Sequence, residues 1–234
     1  ELKSGKYIFE KLKSFLIDNN LINDNWNSLN ILSQNASTVG LLDLKILQTE
    51  MQNDFFTNLR NKKFKLLYLL GSDNLDFKKD NEFVVYQGSH GDRGAEIADI
   101  ILPSSTYTEQ NGLYENLEGR LQECKKASYP IGESLEDWKI FNRRIKKLSV
   151  QDKIYNFDQL RKEVLNIIPN FSSLNDLPKK EAIKKNEIKA DFISEEILVR
   201  ELDYYYTNSI SRSSKTMSEC RQIRQKTIKD GTNN

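Results

Sequence analysis

Phe64-Lys65-Leu66-Leu67-Tyr68-Leu69-Leu70, Glu82-Phe83-Val84-Val85-Tyr86-Gln87 and Asp99-Ile100-Ile101-Leu102 are three short apolar runs, and their reading decides the fold. Each is four to seven residues long and ends in a breaker: Gly71-Ser72-Asp73, Gly88-Ser89-His90-Gly91-Asp92-Arg93-Gly94 and Pro103. Continuous rather than alternating apolar character fits strands buried on both faces, as in parallel sheets, each delivering its carboxyl end into a polar loop. Three such strands with glycine-bearing connections predict an open parallel sheet covered by helices, an α/β domain.

Upstream, Leu12, Phe15, Leu16 and Asn19 recur at helical spacing within Leu2 to Asn19 and predict an amphipathic helix stopped by Asp18-Asn19-Asn20. Trp26, Leu29, Leu32, Ala36 and Val39 repeat at threes and fours ahead of Gly40, so a second short helix is expected there, with Gly40 as its breaker. Both are expected to cover the sheet. With helices before the first strand and short crossovers after it, the segment reads as the end of a Rossmann-like domain. Downstream, Tyr107 to Cys124 contains the hairpin signal Asn111-Gly112 and predicts a small hairpin or irregular loop. Ser134-Leu135-Glu136-Asp137 reads as a capped helix start with Trp138, Phe141, Ile145 and Leu148 along one stripe, and a further helix is expected over Asp158 to Ile168, closed by Pro169-Asn170. Beyond Pro178 the chain is lysine-rich and then polar, and on composition alone Ser209 to Asn234 reads as a disordered tail. The expected division is 1–150, a partial α/β domain, and 151–234, a helical extension with its tail.

Composition excludes more than it assigns. Of 234 residues 38% are apolar, enough for one sizeable domain, and 35 basic residues nearly cancel 34 acidic ones, so no nucleic-acid-coating surface is indicated. No run approaches the roughly 18 apolar residues of a membrane span. Two cysteines, Cys124 and Cys220, and the single His90 are too few and too scattered for a structural zinc or an iron-sulphur cluster, so no metal ligand is assigned. The chain opens at Glu1 with no apolar leader and reads as a mature product or a piece of a longer chain.

Three places could carry a site. Gly88-x-x-Gly91-x-x-Gly94 lies between a strand and a short helical stretch, Ala95 to Ala98, where backbone amides can hold a phosphate. It matches neither dinucleotide nor P-loop spacing, so a structural turn is the preferred reading. His90 has no nucleophile placed beside it by motif and is read as a loop hydrogen bonder. Glu115 and Glu118 could pair as carboxylates, but a solvated hairpin with Arg120 pairing locally is the simpler reading. No catalytic, cofactor-binding or metal residue is assigned.

Longer stretches resemble a known family. Val85 to Ala95, Ala98-Asp99-Ile100-Ile101-Leu102-Pro103, Tyr107-Thr108-Glu109 and Asn116-Leu117-Glu118-Gly119-Arg120-Leu121-Gln122 are similar to the molybdopterin-oxidoreductase-type domain of the large iron-sulphur subunit of respiratory complex I. Asp137-Trp138-Lys139-Ile140, the tail Thr207 to Cys220 and Asn25 to Leu32 extend the likeness over nearly the whole chain. The resemblance implies the C-terminal part of a Rossmann-like molybdopterin-oxidoreductase-type domain with a mostly parallel sheet, followed by helices and an extended, ordered tail. It also implies a carboxyl-terminal third without the family's cysteine-bound clusters. Pro103-Ser104-Ser105 and Gln110-Asn111-Gly112 depart from the family's commoner Pro-Gly-Ala or Pro-Ala-Ala and Lys-Asp-Gly, the second losing a positive charge where a phosphate would bind.

The function so implied is a non-catalytic structural segment of the NADH-oxidising peripheral arm of complex I, at the matrix side of the mitochondrial inner membrane. No cofactor is expected in this chain. Iron-sulphur clusters and FMN are expected in partner chains, including a companion carrying the missing amino-terminal part; nucleic acid and a direct membrane span are not expected. The alternative is a fragment of a pterin-dependent molybdenum oxidoreductase with Gly91, Arg93 and Arg120 as phosphate contacts. A third reading, an independent small-ligand domain, requires a ligandable crevice at the strand ends.

Overall fold

The structure is a computed structural model. It describes residues 4–23, 26–33, 35–36, 38–46, 55, 57–73, 77–147, 154, 156–168, 174–178, 183–187, 191–196 and 203–229. The elements are α1 (Gly5–Asp18), α2 (Thr38–Asp43), β1 (Leu66–Leu70), β2 (Phe83–Gly88), α3 (Arg93–Glu96), β3 (Ile100–Pro103), β4 (Gly112–Glu115), β5 (Leu121–Cys124), α4 (Asp137–Lys147), α5 (Phe157–Ile167), α6 (Ser209–Ser213) and α7 (Lys215–Lys229).

The three apolar runs form one parallel sheet in the order β1-β2-β3, with Leu69 opposite Tyr86 and Tyr86 opposite Ile101. The α/β reading therefore holds. Leu67, Leu69, Val84 and Tyr86 share one face and form the main core with Leu59, flanked by Phe64, Phe77, Ala95, Ile97 and Ala98. Burial of each such large side chain contributes about 1.5–3 kcal/mol. The opposite face departs from expectation: β1 alternates, and Leu66 and Leu70 are 58% and 52% exposed. α4 covers that face through Phe141, stacked on Tyr68 at 5.7 Å, and leaves the outer leucines of the edge strand open.

Several local expectations are corrected. α1 forms as predicted, but Leu12 and Phe15 are exposed while Lys13 and Ser14 are buried. Its partners come from late in the chain: Ser4 Oγ accepts from the Ile193 amide at 2.7 Å, Lys185 meets Asp18 at 2.8 Å and Tyr7 packs on Phe192. The expected helix over Trp26 to Val39 shrinks to Thr38–Asp43, with Gly40 inside it. The reason is local competition: Asn23 and Asn27 accept hydrogen bonds from the Trp26 and Leu29 amides, both at 2.9 Å, turning the chain before a helix can nucleate.

The hairpin is present as β4 and β5, antiparallel with Glu115 opposite Leu121, but its turn is Asn116 to Arg120 and Asn111-Gly112 only leads into it. Its apolar side packs Leu113 and Leu121 against Val164, Leu165 and Ile168 at the end of α5, with Leu44 and Leu174. α4 begins at Asp137, and Ser134 is not its cap: the Ser134 hydroxyl donates to the Ile131 carbonyl at 2.7 Å. Ile140 is buried on this helix. Leu148 and the Ile145 side chain, expected on its stripe, lie outside the described residues, as do Pro169-Asn170. α5 is capped by Asn156, which accepts from the Gln159 amide at 2.9 Å. Within residues 208–229 the tail is helical, where composition suggested disorder and the resemblance an extended course: a reciprocal Asn208–Ser211 capping box opens α6, and α7 follows.

Candidate functional site

The carboxyl ends of parallel strands are where α/β sheets place ligands, because loops diverge there and leave a crevice. Here Gly71, Gly88 and Ser104 follow or close β1, β2 and β3, and a cavity of about 300 Å³ opens among them, lined also by Asp73, Ser105, Thr106, Tyr107, Gln110 and Asp137.

Asp137, the first residue of α4, organises one wall. One of its oxygens accepts from Gln87 Nε2 and from Ser104 Oγ, each at 2.6 Å, and the other from Gln110 Nε2 at 3.3 Å. Gln110 returns the contact, its Oε1 accepting from the Asp137 amide at 3.3 Å. Gln87 is fully buried, and its Oε1 accepts from the Tyr68 hydroxyl. Three elements are thus tied to one carboxylate, whose acceptor capacity suits two amide donors and a hydroxyl.

Asp73 forms the other wall. The Tyr86 hydroxyl donates to it and also lies 2.7 Å from the His90 carbonyl. Burial, and then the Asp73 carboxylate, push the Tyr86 phenol well above its ordinary range, so it stays a donor. This explains the glycine spacing. A Cβ at Gly88 would overlap the Tyr86 hydroxyl, and one at Gly94 would lie 2.5 Å from the Ser72 carbonyl and 3.1 Å from the Tyr86 ring; at Gly91 it would meet open space. Gly88 and Gly94 are there to admit a tyrosine. His90 contacts its neighbour, Nδ1 lying 2.9 Å from Ser89 Oγ, and does not line the cavity.

The roof comes from the far end of the sequence. Asn208, Ser209 and Ile210 line the cavity, held there by Arg212, whose Nε donates to Asp92 at 2.5 Å. Asp92 also accepts from the Arg93 amide at 2.9 Å and so caps α3. Burial raises the Asp92 pKa, but the Arg212 and Arg93 contacts outweigh it and hold the carboxyl below its usual range.

Gly91, Arg93 and Arg120 are not brought together here. Arg93 is exposed on α3, and Arg120 donates to the Asn175 carbonyl at 2.5 Å with Glu118 at 3.9 Å. Glu115 and Glu118 do not pair either, and the solvated reading holds for Glu118 alone: Glu115 is 5% exposed, behind α2. Its pKa is pushed up to about 7, by burial first and then by Asp43. Among the described residues no three His, Cys, Asp or Glu side chains cluster as metal ligands, and no helix is long and apolar enough to cross a membrane. None of the residues that build the crevice, Asp73, Tyr86, Gln87, Ser104 and Asp137, was singled out as a site residue, although Tyr86, Gln87 and Asp137 lie in the stretches that carry the family resemblance; the one local signal was a polar Gln87 closing an apolar strand.

Comparison with known proteins places these features. The profile of the molybdopterin oxidoreductase family matches residues 2–147, and that of the C-terminal region of the G-type subunit of NADH-ubiquinone oxidoreductase matches residues 169–220. The chain is 37% identical over 222 residues to the NADH-ubiquinone oxidoreductase 75 kDa subunit of Reclinomonas americana, covering 94% of this chain and 32% of that protein. It is 35% identical over 217 residues to the G-type subunit of NADH-quinone oxidoreductase from Rickettsia conorii, covering 92% and 31%. It is 38% identical over 237 residues to the mitochondrial NADH-ubiquinone oxidoreductase 78 kDa subunit of Candida albicans, covering 94% and 31%. The chain therefore spans about a third of the length of the curated relatives it matches.

Proposed function

The chain belongs to the molybdopterin oxidoreductase family, and on that premise we propose that it is a non-catalytic structural segment of the NADH-oxidising arm of respiratory complex I. The observation that carries this reading is the extent of the likeness: both the α/β region and the tail match one class of relatives, all named as subunits of NADH oxidoreductases, over more than nine-tenths of the chain. Its partners are other subunits of that assembly, among them a companion chain bearing the amino-terminal part with its iron-sulphur clusters, with FMN on a further chain. Its place is peripheral, on the matrix side of the mitochondrial inner membrane.

The crevice supports a structural role. A pterin cofactor linked through phosphate needs cationic or amide-rich contacts. The charged side chains lining this cavity are Asp73 and Asp137, no Lys or Arg lines it among the described residues, and the chain's own Asn208 to Ile210 form its roof. These residues do not fit the group, and no chemistry is routed through it. The test is native electrophoresis of membranes from the source cells: the chain comigrates with a large NADH-oxidising assembly together with a cysteine-rich companion. Migration only as a free small protein overturns the proposal, and stoichiometric molybdenum or tungsten in the purified chain favours the pterin-dependent alternative.

A further inference from the structure

Glu115 is the anomaly of the molecule. It closes β4 facing the apolar side of the hairpin, is 5% exposed, and neither carboxylate oxygen has a hydrogen-bond partner. An ionised carboxylate in such a place is strongly disfavoured. α2 lies over it so closely that a Cβ on Gly40 would be 3.6 Å from its Cβ and 3.7 Å from Oε2, and a Cβ on Gly119 in the turn would be 3.5 Å from Oε1. Asp43, at the end of α2, lies within hydrogen-bond reach of the same carboxyl. Two acids facing each other without a donor make sense only if one holds a proton.

The surrounding charges do not relieve the pair. Arg120 in the turn is turned to the Asn175 carbonyl and Glu118. Glu123 on β5 is engaged by Arg161 of α5 at 2.6 Å, and that guanidinium also meets Asp158. Lys45, after α2, and Asp176, on the segment beyond α5, are exposed, and Tyr114 projects to the other face of β4.

We propose that Glu115 and Asp43 form a proton-binding site, a carboxyl–carboxylate pair that shares one proton and latches α2 onto the β4–β5 hairpin. The protonated Glu115 hydroxyl donates to the Asp43 carboxylate, which gives the buried Glu115 carboxyl a hydrogen-bond partner. Leu44, next in sequence, is thereby held in the second core. Loss of the proton leaves two negative charges in contact and favours release of α2. The sign follows from the raised folded pKa: the latch is fully closed below the ordinary carboxylate range and weakens as pH rises through about 7.

The test is hydrogen-exchange mass spectrometry of the full chain in its native assembly, from pH 5 to 8, after correction for intrinsic exchange. In the parent, opening of residues 38–44 increases roughly tenfold per pH unit up to about 7 and levels above it. Glu115→Gln, whose amide donates to Asp43 permanently, removes the pH dependence and keeps the segment protected; Asp43→Asn, which removes the facing charge but leaves Glu115 buried, reduces the pH dependence without abolishing it. A parent profile flat across this range, or a Glu115→Gln profile that still rises with pH, overturns the proposal. So does protection at pH 8 by added millimolar Ca²⁺ or Mg²⁺, which would make the pair a metal site instead.

Discussion

Replacing Asp137 by alanine tests whether one carboxylate holds the crevice together. It removes the acceptor for Gln87 Nε2 and Ser104 Oγ, both at 2.6 Å, and for Gln110 Nε2 at 3.3 Å. Gln87 is fully buried, so its amide is left without a partner, which costs about 1–3 kcal/mol, and loss of the charge-assisted bond adds a similar amount. Ser104 has a fallback, since the Ser105 carbonyl lies 3.3 Å from its hydroxyl, and its share is smaller. The expected sum is about 3 kcal/mol of local stability, or on the order of a hundredfold faster exchange of the amides of β2 and of residues 104–110. Asp137→Asn keeps the oxygen that serves Gln87 and Ser104 and loses about 1 kcal/mol through the Gln110 contact. Hydrogen exchange on the chain in its native assembly reads both variants side by side. If the alanine variant exchanges within about threefold of the parent in these peptides, the crevice does not depend on Asp137 and the reasoning fails.

Other predictions concern the glycine loop, the tail and the core. Gly94→Ala places a methyl 2.5 Å from a backbone carbonyl that cannot swing aside and destabilises the chain by about 2–3 kcal/mol, while Gly91→Ala, facing open space, stays within about 0.5 kcal/mol; urea titration separates them. Arg212→Ala frees the tail, and limited proteolysis should cut within residues 203–214 several times faster than in the parent. Because the Asp92 pKa is depressed in the fold, the contribution of this ion pair is present above the ordinary carboxylate range and lost as pH falls through the depressed value, so acid should release the tail in the parent and have no further effect in Arg212→Ala. Val84→Ala, in the fully buried centre of the sheet, costs about 2–3 kcal/mol in the same urea measurement.

The sheet was legible because strands buried in a core write their own signal: the runs around Leu67, Val84 and Ile101 sit within two residues of where the strands form. The crevice was not, because Asp137 meets Gln87, Ser104 and Gln110 across separations of 50, 33 and 27 residues, which no local pattern encodes. Two readings failed because polar side chains settled the matter. Asn23 and Asn27 diverted the Trp26 segment, and on α1 the inward face was chosen by Ser4 and the segment around Ile193 instead of by the Leu12–Phe15 stripe. The tail misled through composition, since the capping box between Asn208 and Ser211 starts a helix despite the lack of large apolar groups. Glu115 was named as a candidate, but only the arrival of α2 and Asp43 gives it its chemistry.

Arg212 grips Asp92 across 120 residues, and Ser4 waits for Ile193 across 189. Closures of that span carry a high entropic charge and form late. While the chain is being synthesised, the sheet can assemble as soon as β3 has emerged, yet its first helix stands unstrapped until residues 185–193 arrive and its crevice unroofed until residues 208–212 do. Translation that stops short of Arg212 therefore leaves a product with its core in place and its surface unfinished, the kind of intermediate that quality-control proteases recognise.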